Sequence, residues 1–190
     1  MTELPSADSV GDLIRQRRTN LRMDPDGAID EALIASLCEA AVWAPNHKLT
    51  EPWRFAVIRG SARRRLGEAA ARGLMDRGVT DPARLEKTRH KYERAPVILV
   101  VGCAANEDPA RRLEDRDAVA AGIQNLLLTA TAAGLASYWG TGIAADIAEV
   151  NELCGFEPDT AIVGIIYIGV PTGEAPVPGR SAPVVNWVDS

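Results

Sequence analysis

At 190 residues the chain suits one domain, 1–190, that buries roughly 70% of the surface exposed by its unfolded state. A net charge of −5 argues against a general binder of nucleic acid or anionic membranes, and no run of about 18 apolar residues offers a membrane span. Cys38, Cys103 and Cys154 lie far apart in apolar contexts and read as reduced core residues of a cytoplasmic protein. With two histidines and no paired cysteine spacing, no metal site is expected. Met1 to Asp8 lacks the basic and apolar regions of a signal peptide.

Asp8 or Ser9 can cap a first helix running to about Arg18. Leu21 to Ala28 is irregular, with Asp24-Pro25-Asp26-Gly27 as a turn. From Ile29 to Val42, Leu33, Ile34, Leu37 and Ala41 recur at helical spacing, and Pro45 ends the run. Phe55 to Arg59 reads as a short strand stopped by Gly60, followed by a basic surface helix from Arg63 to Met75. Asp81-Pro82 supplies an N-cap and a proline at the first helical position, so a polar surface helix is expected to about Arg94. Pro96 to Gly102 is a continuous apolar run, read as a buried strand. Asp108-Pro109 opens the longest helix, ending at Gly134. Its second half, Ala118 to Ala133, is apolar nearly all round and should cross the core. Leu135 to Trp139 is a strand, Ala145 to Leu153 a helix, and Ile162 to Val170 the last buried strand.

Residues 171–190 hold prolines and no helical period. They read as an extended C-terminal arm, because Val184, Val185, Trp187 and Val188 need burial. Four strands among helices imply an α/β or α+β sandwich. The apolar long helix and the arm suggest a homodimer in which the arm packs on the partner, although such arms also fold back on their own subunit.

Three clusters could carry chemistry. Arg17, Arg18 and Thr19, with Arg22 close by, offer guanidinium forks and a hydroxyl to a phosphate, although arginines in a last helical turn also favour the helix dipole. Trp43-Ala44-Pro45-Asn46-His47 sits between a helix and a strand and could flank a flat ring. Alternatively, Trp43 and Trp53 are core aromatics and His47 a satisfied loop histidine. Gly140-Thr141-Gly142-Ile143-Ala144-Ala145 fits the dinucleotide fingerprint Gly-x-Gly-x-x-Ala, with Asp159 downstream. Only one strand follows it, and Asp159 precedes that strand, so a Rossmann half is not expected. The same glycines would let backbone amides approach a flavin ring. No nucleophile elbow and no Gly-x-x-x-x-Gly-Lys phosphate loop occurs.

Taken in order, Arg17-Arg18-Thr19-Asn20-Leu21-Arg22, Ala44-Pro45-Asn46-His47-Lys48 through Pro52-Trp53-Arg54-Phe55, Gly134 to Gly142, and Gly164 to Gly169 before a proline-rich arm span nearly the whole chain. This pattern resembles the FMN-dependent nitroreductase family, and within it the smallest bacterial members. The resemblance implies an α+β, three-layer sandwich whose four-stranded central sheet is extended by the partner subunit's C-terminal arm, with FMN at the interface of a homodimer. It implies FMN contacts at Arg17, Arg18, Thr19, Trp139, Gly140, Thr141 and Arg180, and contacts from the partner subunit at Trp43 and His47. It implies NAD(P) contacts at Thr129, Ala130, Thr131, Ala132, Ala133 and Gly134. The function implied is two-electron, ping-pong hydride transfer from NADH or NADPH to nitroaromatics, quinones or similar electron-poor acceptors. A carrier or sensor of flavin, or a flavoenzyme of the same fold with another acceptor, are the alternatives. The chain departs from the family by Thr19 where Ser is frequent, and by Glu51 where Gln is common before Pro-Trp. A carboxylate there would disfavour negative charge on a reduced flavin unless an arginine paired with it.

Overall fold

Side-chain caps start most of the helices in the computed structural model, which describes residues 4–189 apart from the side chain of Ile143. Residues 1–3, part of the segment read as lacking a signal peptide, and Ser190, the last residue of the arm, lie outside the described residues. Ser6 accepts the Ser9 amide at 3.1 Å to open α1 (Ala7–Gln16), and Asp30 accepts the Ala32 amide at 2.9 Å to open α2 (Glu31–Val42). Asp81 and Asp108 cap α4 (Pro82–Arg89) and α5 (Pro109–Ala132), each with proline in the first turn. The remaining elements are β1 (Trp53–Arg59), α3 (Ala62–Asp76), β2 (Val97–Cys103), β3 (Ala136–Gly140), α6 (Ala148–Cys154) and β4 (Ala161–Gly169).

The strands form one sheet in the order β1-β2-β4-β3, antiparallel throughout. Alternation along β2 assigns the faces: Val97, Leu99 and Val101 pack under α2 and α5, while Ile98 and Val100 pack under α3 and α6. This is the helix–sheet–helix sandwich of an α+β fold. An antiparallel sheet leaves no βαβ unit for Gly140 to Gly142 to open, so the fingerprint is a coincidence of spacing.

Three expectations need correction. First, α1 ends at Gln16, and Arg17 is its C-cap with extended backbone (φ −57°, ψ 124°), so neither Arg17 nor Arg18 occupies a last helical turn. Second, the polar helix expected to Arg94 stops at Arg89, and Lys91–Arg94 form a separate tight turn. The reason is Tyr92, which is buried and stacks on Tyr167 of β4 with ring centroids 5.9 Å apart. Third, α5 does not cross the core surrounded on all sides. It buries one stripe, including Val119, Ile123, Leu126 and Ala130, and leaves Ala121, Ala132 and its C-cap Ala133 exposed.

Close approach places α2 on α5. A Cβ on Gly122 would stand 2.6 Å from the Ala41 carbonyl oxygen and 2.8 Å from Trp53 Nε1, so the helices meet where a side chain is missing. The arm returns along the chain that follows α1, with Thr172 donating to the Arg22 carbonyl at 2.9 Å and Asn20 Nδ2 donating to the Gly173 carbonyl at 2.9 Å. From Pro176 to Asp189 it is exposed, and Trp187 keeps 84% of its surface open. Among the described residues no helix is long and apolar enough to cross a membrane, and no cluster of metal-ligating side chains occurs.

All three cysteines are free, and Cys103 is buried. Burial pushes the Cys38 thiol to about 11 and the Cys154 thiol to about 12; burial and then the Asp115 carboxylate push Cys103 to about 11. Because the thiolate is the reactive form, raised values mean little reaction at neutral pH. Iodoacetamide at pH 7.5 should leave the native protein unlabelled over a time in which urea-unfolded protein takes three labels by mass spectrometry. Rapid native labelling at pH 7.5 would contradict this burial.

Candidate functional site

The segment leaving α1 is laid against the edge of the sheet. Thr19 forms a parallel bridge with Ser137 of β3, and the Asn20 amide donates to the Ser137 carbonyl at 2.9 Å. Two clusters distant in sequence thereby become neighbours. Arg17, Arg18 and Thr19 line a groove of about 770 Å³, together with Gln124 of α5 and Pro176, Pro178 and Arg180 of the arm. That volume falls within the usual range of ligand pockets, about 300–1,000 Å³.

The groove holds donors without partners. Arg18 Nη1 donates to the carbonyls of Arg15 and Arg17, the latter at 2.9 Å, but its Nε is buried without a hydrogen-bond partner among the described residues. Half-buried Arg17 has no side-chain hydrogen bond or ion pair among the described residues. Guanidinium groups from Arg17, Arg18 and Arg180 gather beside the Thr19 hydroxyl, with no carboxylate among the residues that line the groove, which fits the phosphate end of FMN.

A second groove, about 700 Å³, shares Arg18 with the first and is bordered by Asn20, Thr131 and Gly134. From the segment expected to meet NAD(P), Thr131 and Gly134 reach it; Ala130 is fully buried, and Ala132 and Ala133 are exposed at the end of α5. Thr129 and Thr131 donate their hydroxyl protons to the carbonyls of Asn125 and Leu127, at 3.0 and 2.8 Å, so those protons are already engaged inside the helix.

Trp139, Gly140 and Thr141 border a smaller cavity of about 220 Å³ at the end of β3, with Lys91, Tyr92, Tyr138 and Tyr167. Trp139 Nε1 donates to the Val163 carbonyl at 3.3 Å, on the α5 side of the sheet. Tyr138 meets Tyr167 edge-on, with centroids 5.3 Å apart. The hydroxyls of Tyr92 and Tyr167 are buried without partners among the described residues, and burial raises both pKa values far above the ordinary tyrosine range. Lys91 lies over the Tyr92 ring, 5.5 Å from its centroid; burial, then the nearby Arg94, lowers its pKa. Lys91 escaped the sequence reading. It sits in a uniformly polar stretch, and only the burial of its neighbour Tyr92 marks the turn as inward-facing.

Trp43 and His47 line none of these three hollows. Trp43 caps α2 and is 79% exposed, so it is not a core aromatic; Trp53 is half-buried. His47 Nδ1 pairs with Glu114 of α5 at 2.8 Å, with both side chains half-exposed. Glu51 is exposed with positive φ, and Arg54 donates to its backbone carbonyl, so no arginine pairs with the Glu51 carboxylate among the described residues.

The model of the nitroreductase family matches residues 14–170. A relative named "Putative NAD(P)H nitroreductase YdjA", from Escherichia coli strain K12, is 29% identical over 161 residues, covering 84% of this chain and 87% of that protein. Among solved structures, a nitroreductase-like family protein from Bacillus cereus superposes with a TM-score of 0.79 at 29% identity, covering 96% of this chain and 94% of that one. A "putative nitroreductase in complex with fmn" from Desulfovibrio desulfuricans superposes at 0.70 with 27% identity, covering 95% and 94%. The match of the family model across β1 to β4, with folds of this kind on both sides of the comparison, shows that the chain belongs to the nitroreductase family.

Proposed function

We propose that this protein is an FMN-dependent NAD(P)H oxidoreductase. It acts in the cytoplasm as a homodimer and passes two electrons by a ping-pong cycle to nitroaromatics, quinones or similar electron-poor acceptors. The observation that carries the reading is the meeting of Arg17, Arg18, Thr19 and Arg180 in one groove beside β3, whose far end presents Trp139, Gly140 and Thr141. The YdjA name and the FMN-bound relative support the choice of cofactors.

When bound, FMN supplies the redox chemistry, and the chain's residues bind and orient it. Arg17, Arg18, Thr19 and Arg180 would hold the phosphate. The backbone of Gly140 and Thr141 would face the ring, with Lys91 favouring negative charge nearby: its Nζ lies 3.1 Å from where a Cβ on Gly142 would stand. Thr131 and Gly134 would border the nicotinamide nucleotide. No side-chain nucleophile is needed. Trp43 and His47 fit a role on the partner subunit's flavin, because both face solvent here. Trp43, Leu49, Val184, Trp187 and Val188 are all exposed, and covering each large apolar side chain stabilises an interface by about 1.5–3 kcal/mol.

The visible spectrum of the purified protein tests the reading first. Flavin absorbance, retained on gel filtration at the mass of a dimer, is expected. NADH or NADPH oxidation that accelerates with a nitroaromatic or quinone then identifies a reductase. Bound FMN without turnover would favour a carrier or sensor. A colourless protein that ignores added FMN would defeat the proposal.

A further inference from the structure

The loop between α2 and β1 adopts a backbone that its residues disfavour. Lys48 (φ 63°), Leu49 (φ 51°) and Glu51 (φ 49°) are the non-glycine residues with positive φ among the described residues, and all lie within four positions. L-residues rarely take this conformation, so something must hold it.

The holding contacts converge on α5. Asn46 Oδ1 accepts the Glu51 amide at 2.9 Å, closing the loop on itself. Asn46 Nδ2 donates to Thr50 Oγ1 at 3.0 Å, and Thr50 Oγ1 donates onward to the Asp115 carboxylate. Asp115 also accepts from Asn106 Nδ2 at 2.9 Å, and Asn106 Oδ1 accepts the Asp108 amide at 3.1 Å, at the start of α5. Asp115 is only 3% exposed. The residue before it, Glu114, pairs with His47 on the outer side of the same loop. Two consecutive carboxylates of α5 therefore grip the loop, one from within and one from the surface. A buried carboxylate is costly unless it is fully bonded, and a hydrophobic residue would pack the site more simply. Apart from Asn106, the one side-chain partner of Asp115 among the described residues is Thr50, in the strained loop.

We propose that Asp115 is a positioning residue: through Thr50, itself in the ordinary right-handed region, and Asn46 it holds the left-handed backbone of Lys48, Leu49 and Glu51, and so sets where His47 and exposed Leu49 stand for the partner subunit's flavin. The inference rests on the flavin reading above. Released from Asp115, the loop would relax toward ordinary backbone and would have to be ordered again on binding, which weakens affinity.

The test compares wild type, Asp115→Ala, Thr50→Val and Thr50→Ser. Thr50→Val removes the hydroxyl with little change of shape; Thr50→Ser keeps it. Should Asp115→Ala fail to fold, Thr50→Val breaks the same link from its other end. In Thr50→Val, hydrogen exchange at the Glu51 amide should rise at least tenfold over wild type while amides of β2 stay protected. The FMN dissociation constant should rise about tenfold and the visible circular dichroism of bound FMN should change, with Thr50→Ser restoring both. Exchange that rises uniformly across the protein, or unchanged FMN affinity and dichroism in Thr50→Val, would overturn the proposal. If wild type takes up no FMN, the flavin reading fails, and loop-specific exchange still decides the anchoring.

Discussion

Arg17→Ala is expected to purify almost colourless, with its FMN dissociation constant raised by a factor of roughly 10 to 100. The Arg17 guanidinium borders the groove and has no competing side-chain partner among the described residues, so its donors are available to a phosphate. A hydrogen bond to a charged group contributes about 1.5–3 kcal/mol, and each 1.4 kcal/mol is about tenfold in affinity. Arg17→Lys should recover only part of the loss, because an ammonium lacks the two-pronged geometry. Arg18→Ala should behave differently. Arg18 also bonds the carbonyls of Arg15 and Arg17, so its removal loosens the end of α1 and lowers stability along with affinity. The ratio of flavin to protein absorbance after purification, followed by FMN titration, separates the two. Full FMN occupancy in Arg17→Ala would sink the phosphate assignment.

Gly67→Ala should be strongly destabilising for the addition of a single methyl group. A Cβ at Gly67 of α3 would stand 2.0 Å from the carbonyl oxygen of Arg89, 2.6 Å from its carbon and 3.0 Å from its Cα. The obstacle is backbone, so no rotamer change relieves it. Alanine gains about 1 kcal/mol of helix propensity over glycine, whereas overpacking costs about 1–3 kcal/mol and occasionally more. At this degree of overlap we expect the steric term to win by about 2 kcal/mol, lowering Tm by about 4–8 °C for a chain of this size. The displaced element is the end of α4, which leads into the turn carrying Lys91 and Tyr92, so the cavity at the end of β3 should be disturbed as well. Gly179→Ala is the control: nothing lies within 4 Å of the added carbon, and Tm should not move. An unchanged Tm in Gly67→Ala would show that α3 and α4 can part without loss.

Much of the fold was legible along the chain because the signals were local. Asp81-Pro82 and Asp108-Pro109 each announce a helix start through a capping carboxylate and a proline without an amide proton, and both helices begin there. The apolar run of β2 could be read as buried on both faces, and every residue from Val97 to Cys103 is buried. The end of α4 was misread because composition there is polar throughout, while the one residue that matters, Tyr92, pays no attention to helical period: its partner is Tyr167, on a strand far along the chain. Lys91 was missed for the same reason. Trp43 was ambiguous between core and surface until α2 was seen to end with it facing solvent.

By itself the sequence determined the succession of helices and strands, the nitroreductase resemblance, and the residue types able to hold a phosphate. Each of these depends on short-range pattern or on the order of motifs. Only the tertiary structure decided that Arg17-Arg18-Thr19 lies beside β3 and shares a groove with Arg180. It alone made every strand pair antiparallel, and it alone buried Asp115 beneath the loop from Asn46 to Glu51. The physical reason is common to all three. Strand pairing, groove formation and the bonding of a buried carboxylate are contacts between distant segments, set by which surfaces must leave water together, and no local spacing records that choice.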